Sequence, residues 1–290
     1  MKSLIRTLAV VCGGCVLSLL APRAHALDIA DGLMMAVPTQ GTPPAMDGSD
    51  TGWDLSAVEP MWAANQTMRH IHGELALNYD DQALYLHARM ALPNRTYQST
   101  NSPLDPLWNG DEIELRLCSD PKIAYPLNIN DPAVEGSDRV CHMSFWRNNN
   151  DHKSYVNIAY GGMHHNSRGK AVNPEGTVVN VIDTPAGYVL AAKIPWSVMH
   201  VPGGTNPFHA GDKMTATWGA HVKSPDWFMV LDGLYTTTPG DFAFLQWQLW
   251  GQVEFSAKGN LPPRHASLDQ LIAKAEAITG VSTVGVPSHR

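Results

Sequence analysis

The chain has 290 residues, 44% of them hydrophobic and only 16% charged, with 24 Gly and 21 Pro. That composition excludes a coiled coil, which would be dense in Glu, Lys and Leu, and a disordered chain, which would lack core formers. The net charge of −7 argues against a nucleic-acid partner, since phosphate binding needs a basic surface. Abundant Gly and Pro punctuate short strands better than long helices and favour a β-rich fold.

The first 26 residues read as a secretory signal peptide. Lys2 and Arg6 give a basic start, Leu8 to Leu20 is uncharged and apolar, and Ala24-His25-Ala26 is a small-x-small cleavage signature. The apolar stretch is short for a membrane span, and no later segment is long enough for one. Cleavage before Leu27 removes three basic residues and no acid, leaving 17 basic against 27 acidic residues, a net charge of −10. The location expected is periplasmic or secreted. Of the four Cys, Cys118 and Cys141 remain, and in an exported chain they suggest one disulfide between neighbouring strands.

Residues 27–44 are small, polar and Pro-containing, and are expected to form a leader over a sheet edge. Strands follow in series. Leu84, Leu86, Ala88 and Met90 alternate with Tyr85, His87 and Arg89, the pattern of a half-buried strand. Glu112-Ile113-Glu114-Leu115-Arg116-Leu117 alternates in the same way, with its acids on what reads as a solvated face. Met214, Ala216, Trp218, Ala220 and Val222 form one apolar face, opposite Thr215, Thr217, His221 and Lys223. Further strands are expected at 75–78, 140–146, 155–160, 178–182, 188–193, 228–231 and 249–255, separated by turns such as Tyr79-Asp80-Asp81-Gln82 and Asn109-Gly110-Asp111. The expected fold is all-β: an antiparallel β-sandwich of jelly-roll or immunoglobulin-like type. It would occupy residues 45–256. Residues 257–290 form a linker, a short C-terminal helix on the stripe Leu268, Leu271, Ile272, Ala275 and Ile278, and a frayed tail.

No phosphate-cradling Gly loop, nucleophile elbow or Cys-x-x-Cys pair occurs in the mature chain, so no enzyme is expected. Histidine is abundant. His70-Ile71-His72, His164-His165 after Met163, and His142-Met143 offer imidazole with thioether, donors that suit copper. None has a specific metal-finger spacing. Nine Trp are more informative. Flat aromatic rings cover the apolar C–H faces of pyranose sugars, while amides, carboxylates and Arg bond the hydroxyls. Trp146-Arg147-Asn148-Asn149 and Trp108-Asn109-Gly110-Asp111 each supply that set. The candidate ligand-binding residues are therefore Trp108, Asp111, Trp146, Arg147, Asn148 and Asn149.

Six segments in order resemble the family 9 carbohydrate-binding-module-like domains, which are related to DOMON-type domains. They are Met46-Asp47-Gly48 with Trp53, the hairpin from Leu75 to Met90 about Tyr79-Asp80-Asp81, and Trp108 to Leu115. Gly187-Tyr188 through Ile194-Pro195-Trp196, Gly211-Asp212 with Trp218-Gly219, and Trp250 to Phe255 complete the set. The resemblance covers roughly residues 40 to 256. It implies a β-sandwich and a noncatalytic carbohydrate-binding protein, with a secreted enzyme or a redox protein as a further partner. Calcium is often seen in such domains, and Asp120, Asp131 and Asp138 could supply oxygen ligands. A second branch of the broad group resembles b-type haem-binding gamma subunits of molybdenum dehydrogenases. By that resemblance Lys193, with Met143 or His142, would be the axial ligands of an electron-transfer haem.

Overall fold

A computed structural model describes residues 33–62, 72–92, 110–128, 130–135, 137–161, 169–223, 228–233 and 250–262. The strands are β1 (Leu33–Pro38), β2 (Glu59–Trp62), β3 (His72–Tyr79), β4 (Ala83–Ala91), β5 (Glu112–Cys118), β6 (Val140–Arg147), β7 (Ser154–Tyr160), β8 (Gly169–Val172), β9 (Val178–Thr184), β10 (Gly187–Pro195), β11 (Lys213–Lys223), β12 (Phe228–Gly233) and β13 (Gly251–Phe255). All belong to one hydrogen-bonded sheet with the path β8-β7-β6-β5-β11-β12-β2-β3-β4-β10-β9, and β1 and β13 join off that path. The sheet curls on itself, and its two halves enclose one apolar core as a β-sandwich.

The core follows the alternation in the sequence. Leu84, Leu86, Ala88 and Met90 of β4, Leu190, Ala192 and Ile194 of β10, and Leu75 and Leu77 of β3 point inward from one half. Ile113, Leu115 and Leu117 of β5, Met143 and Phe145 of β6, and Met214, Ala216, Trp218, Ala220 and Val222 of β11 meet them from the other. The turn expected at Tyr79-Asp80-Asp81-Gln82 forms as read, and Asn109 of the second lies outside the described residues. Asp80 Oδ1 accepts from the backbone N–H groups of Gln82 (2.7 Å) and Ala83 (2.9 Å) and closes the β3–β4 hairpin. Pro195 ends β10, and the chain turns into a short 3-10 segment, Trp196–Met199, whose Trp196 indole donates to Asp80 O.

Three expectations change. Residues 33–38 are not a leader over an edge: they form β1, parallel to both β13 and β3, with Met34 and Ala36 in the core. Parts of the outward faces are covered as well. Tyr85 and His87 of β4 are 1% and 2% exposed, because the segment around Trp53 packs over them. Every residue of β5, acids included, is buried.

The disulfide is also corrected, since Cys118 and Cys141 are free thiols. Cys118 lies opposite Val140, and Cys141 opposite Leu117. One residue of offset sends the two sulfurs to opposite faces of the sheet. Cys141 packs in the main core, while Cys118 packs with Leu127, Val134, Val140 and Trp250. The proposed signal peptide and the C-terminal helix lie outside the described residues. Among the described residues, no helix is long and apolar enough to cross a membrane.

Candidate functional site on the outer sheet face

The polar face of β7-β6-β5-β11 is built by register. Tyr155 pairs with Trp146, Trp146 with Glu112, and Glu112 with His221, so these four side chains form one row across four strands. The next row is Asn157, Ser144, Glu114 and Gly219. The third is Ala159, His142, Arg116 and Thr217. Each strand gives its apolar alternate to the core and its polar alternate to this face.

Burial deepens along the first row. Tyr155 is partly exposed, while Trp146 and Glu112 are each 1% exposed and His221 is 2% exposed. His221 Nδ1 lies 2.6 Å from Glu112 Oε1, and His221 Nε2 lies 3.6 Å from Glu114 Oε2. Arg116 donates to Glu114 Oε2, and His142 Nε2 is 2.9 Å from Glu114 Oε1. The two acids therefore behave differently. Burial raises the Glu112 carboxyl to about 7, assisted by the Glu114 charge and opposed by His221. Glu114 is as deeply buried, yet Arg116, His221 and His142 outweigh that burial and hold its carboxyl well below the usual range. Burial favours neutral His221, but the two carboxylates outweigh it and raise its imidazole.

Among the described residues, Glu112 Oε2, Trp146 Nε1 and Thr217 Oγ1 on this face are buried polar atoms without a hydrogen-bond partner. A buried polar group left unsatisfied costs on the order of 1–3 kcal/mol, so these atoms mark where this face is strained for partners.

The sequence-predicted residues fall into three groups. Trp146 stands on the outer face, but its ring stacks on Tyr155, at 5.3 Å between centroids and 30° between planes, and has no free face of its own. Tyr155 is the accessible aromatic. Arg147, at the end of β6, reaches Asp183 of β9. Asn148 and Asp111 are buried, and Asn148 closes the 148–153 turn, accepting from Asn150 N at 2.7 Å. Asn149 is exposed in that turn, and Trp108 lies outside the described residues.

Asp120, Asp131 and Asp138 do not gather. Asp120 pairs with Arg139, Asp131 accepts from Ala133 N at the start of a helical turn (Pro132–Glu135), and Asp138 pairs with His200. The haem candidates also stand apart. Lys193 is partly exposed on the outer face of β10, in one half of the sandwich, and His142 is on the outer face of β6, in the other. Met143 points from β6 into the packed core between them. Of the copper candidates, His70, Met163, His164 and His165 lie outside the described residues.

Sequence reasoning missed Glu112, Glu114, Arg116 and His221 as a group. It read the two acids as a solvated strand face. The available signal was His221 alternating with core residues on β11, but only the β5–β11 register brings it to Glu112.

No protein-family model matches the chain, nor does any curated protein. Among solved structures, the chain is similar to a family 9 carbohydrate-binding module from Caldicellulosiruptor kristjanssonii in complex with cellotriose. That similarity has 15% identity and a TM-score of 0.47, and covers 78% of this chain and 95% of that one. It is similar to a family 9 module from the same organism in complex with glucose, at 13% identity and a TM-score of 0.46, over 78% and 98% of the two chains. A protein from Bacteroides uniformis named for carbohydrate binding is similar at 12% identity and a TM-score of 0.45, over 77% and 98%.

Proposed function

We propose that this is an exported, noncatalytic carbohydrate-binding protein that holds a saccharide over the Tyr155 end of the outer face. The row Tyr155–Trp146–Glu112–His221 carries this reading. It runs from an accessible aromatic ring to an unpartnered indole N–H, and then to an acid–imidazole pair. A pyranose presents an apolar C–H face and an edge of hydroxyls, each of which donates and accepts. The C–H face suits Tyr155, the hydroxyls suit Asn157, and Asn149 lies in the adjoining turn. The deep end of the row keeps the polar groups in a dry setting, where their hydrogen bonds count for more.

Retardation of the native protein in gels containing a panel of polysaccharides tests the proposal. At least one glycan should retard it. Tyr155→Ala should weaken the retention about tenfold or more at unchanged fold, because its ring stacks on Trp146 on the outer face without entering the core. If no glycan retards the protein, or Tyr155→Ala binds as the native chain does, the proposal fails. Trp146→Ala serves a different purpose. It removes a fully buried ring and should cost about 3–5 kcal/mol of stability, so its loss of binding would not discriminate.

A further inference from the structure

We propose that Glu112, Glu114 and His221 form a binding site for a divalent transition-metal ion of the zinc class. The three residues offer one donor each, and these donors lie within 4.8 Å of one another, all on buried side chains.

The geometry of His221 points to an ion. A metal-bound imidazole usually gives its second ring nitrogen to a carboxylate, which fixes the ring. Here Nδ1 is 2.6 Å from Glu112 Oε1, which leaves Nε2 facing Glu114. The 3.6 Å between Nε2 and Glu114 Oε2 is long for a hydrogen bond. It is close to the roughly 3.4 Å between two ligands on a tetrahedral ion with bonds of about 2.1 Å.

Two further features fit. Glu112 Oε2 is a buried carboxylate oxygen with no hydrogen-bond partner, free to accept from a water on the ion, so Glu112 orients the imidazole while His221 Nε2 and Glu114 supply the protein ligands. Gly219, across from Glu114 in the register, places no side chain on this face beside His221. Ligating carboxylates are themselves hydrogen-bonded in such centres, and Arg116 and His142 do that for Glu114. The Arg116 charge opposes a cation bound by oxygen alone. Imidazole with a carboxylate and water suits zinc, whereas calcium takes six to eight oxygens. The ion would fill the deep end of the row, and the inference does not depend on carbohydrate binding.

The experiment uses the full chain, stripped of metal by a chelator, with no glycan present. Zinc is titrated against a chromophoric competitor, and cobalt(II) is added separately for its visible spectrum. The expected results are one tight zinc equivalent, intense four-coordinate cobalt bands, and X-ray absorption showing a single imidazole among oxygen ligands. Glu114→Gln and His221→Asn should each weaken zinc binding at least tenfold, while Tyr155→Ala and His200→Asn leave it unchanged. Zinc binding that survives both Glu114→Gln and His221→Asn overturns the inference. So does the absence of cobalt bands, or a bound ion with two or more imidazoles. The wild-type spectra decide the matter even if a variant fails to fold. Loss of glycan retention with intact zinc binding would sink the carbohydrate proposal alone.

Discussion

Glu112 and His221 face each other in register across β5 and β11, with 2.6 Å between Glu112 Oε1 and His221 Nδ1, and both are at least 98% buried. Neither would be stable there alone as a charged group, since burying an unpaired ion costs several kcal/mol. Together with Glu114 and Arg116 they make a compact network of two acids and two bases on the buried outer face of β5 and β11. Such networks are expensive unless every member is satisfied, and one oxygen of Glu112 is not.

The Glu112 carboxyl titrates near 7 in the folded chain, against an ordinary value of 4.5. The folded state therefore holds a proton that the unfolded state releases between those values. The contribution of this group to stability is complete below pH 4.5 and is lost as pH rises through about 7. Glu112→Gln removes the titration and keeps the shape. The melting temperature of the variant relative to the native chain should rise between pH 5 and pH 8. Thermal unfolding scans across that range check this, and a constant difference would refute it.

The fold was legible where alternation was clean. The strands of Leu84 to Met90 and Met214 to Val222 bury the faces their sequence marks as apolar. What stayed hidden depends on contacts distant in sequence. Residues 33–38 resembled a leader because a six-residue strand that pairs on both sides needs little amphipathic signal. Tyr85 and His87 looked solvent-facing because nothing local reports that Trp53, more than thirty residues earlier, lies over them. Glu112 and Glu114 were misread for a related reason. Their partner His221 is 109 residues away from Glu112, and pairing register is not written in either strand alone. Of the expected saccharide residues, Trp146 was placed on the correct face, but its stacking partner Tyr155 was not anticipated.

The thiols give a direct check on register. Burial raises Cys118 to about 11 and pushes Cys141 higher still, so neither is an available thiolate near neutral pH. In the native protein both should resist alkylation. After unfolding without reductant, the peptides carrying Cys118 and Cys141 should both appear alkylated by mass spectrometry. Recovery of a peptide pair linked through sulfur would mean that the β5–β6 register is wrong.

Gly187 opens β10 with a φ of +150°, and a Cβ built there would sit 1.9 Å from Met90 O and 2.8 Å from Leu92 N. Those atoms are backbone of the neighbouring strand and its continuation, so they cannot move without breaking the pairing of β10 with β4. Gly187→Ala should abolish soluble folded protein. Gly211 also has positive φ, at +88°, but its Cβ would meet nothing within 4 Å. Gly211→Ala should cost only the backbone strain, on the order of 1 kcal/mol. Urea unfolding of the second variant and expression of the first separate the two effects. Equal tolerance at both positions would contradict the described strand contact.

His87 provides the opposite pH signature to Glu112. Trp53 covers its ring at 4.9 Å between centroids, and its Nε2 has no hydrogen-bond partner, with Asp50 Oδ1 3.6 Å away. Burial, then the Arg89 charge, lowers the imidazole from 6.5 to about 4, with Asp50 pulling weakly the other way. The folded value lies below the unfolded one, so the contribution is present above pH 6.5 and is lost as pH falls toward 4. A shift of that size corresponds to up to about 3 kcal/mol. His87→Phe keeps a ring under Trp53 and removes the proton site. Urea unfolding at pH 7.5 and pH 4.5 should show a smaller acid loss for the variant than for the native chain, by about 2 kcal/mol or more. Retention of the full acid loss in His87→Phe would place the sensitivity elsewhere, and would mean that the segment carrying Asp50 and Trp53 does not seal this face in solution.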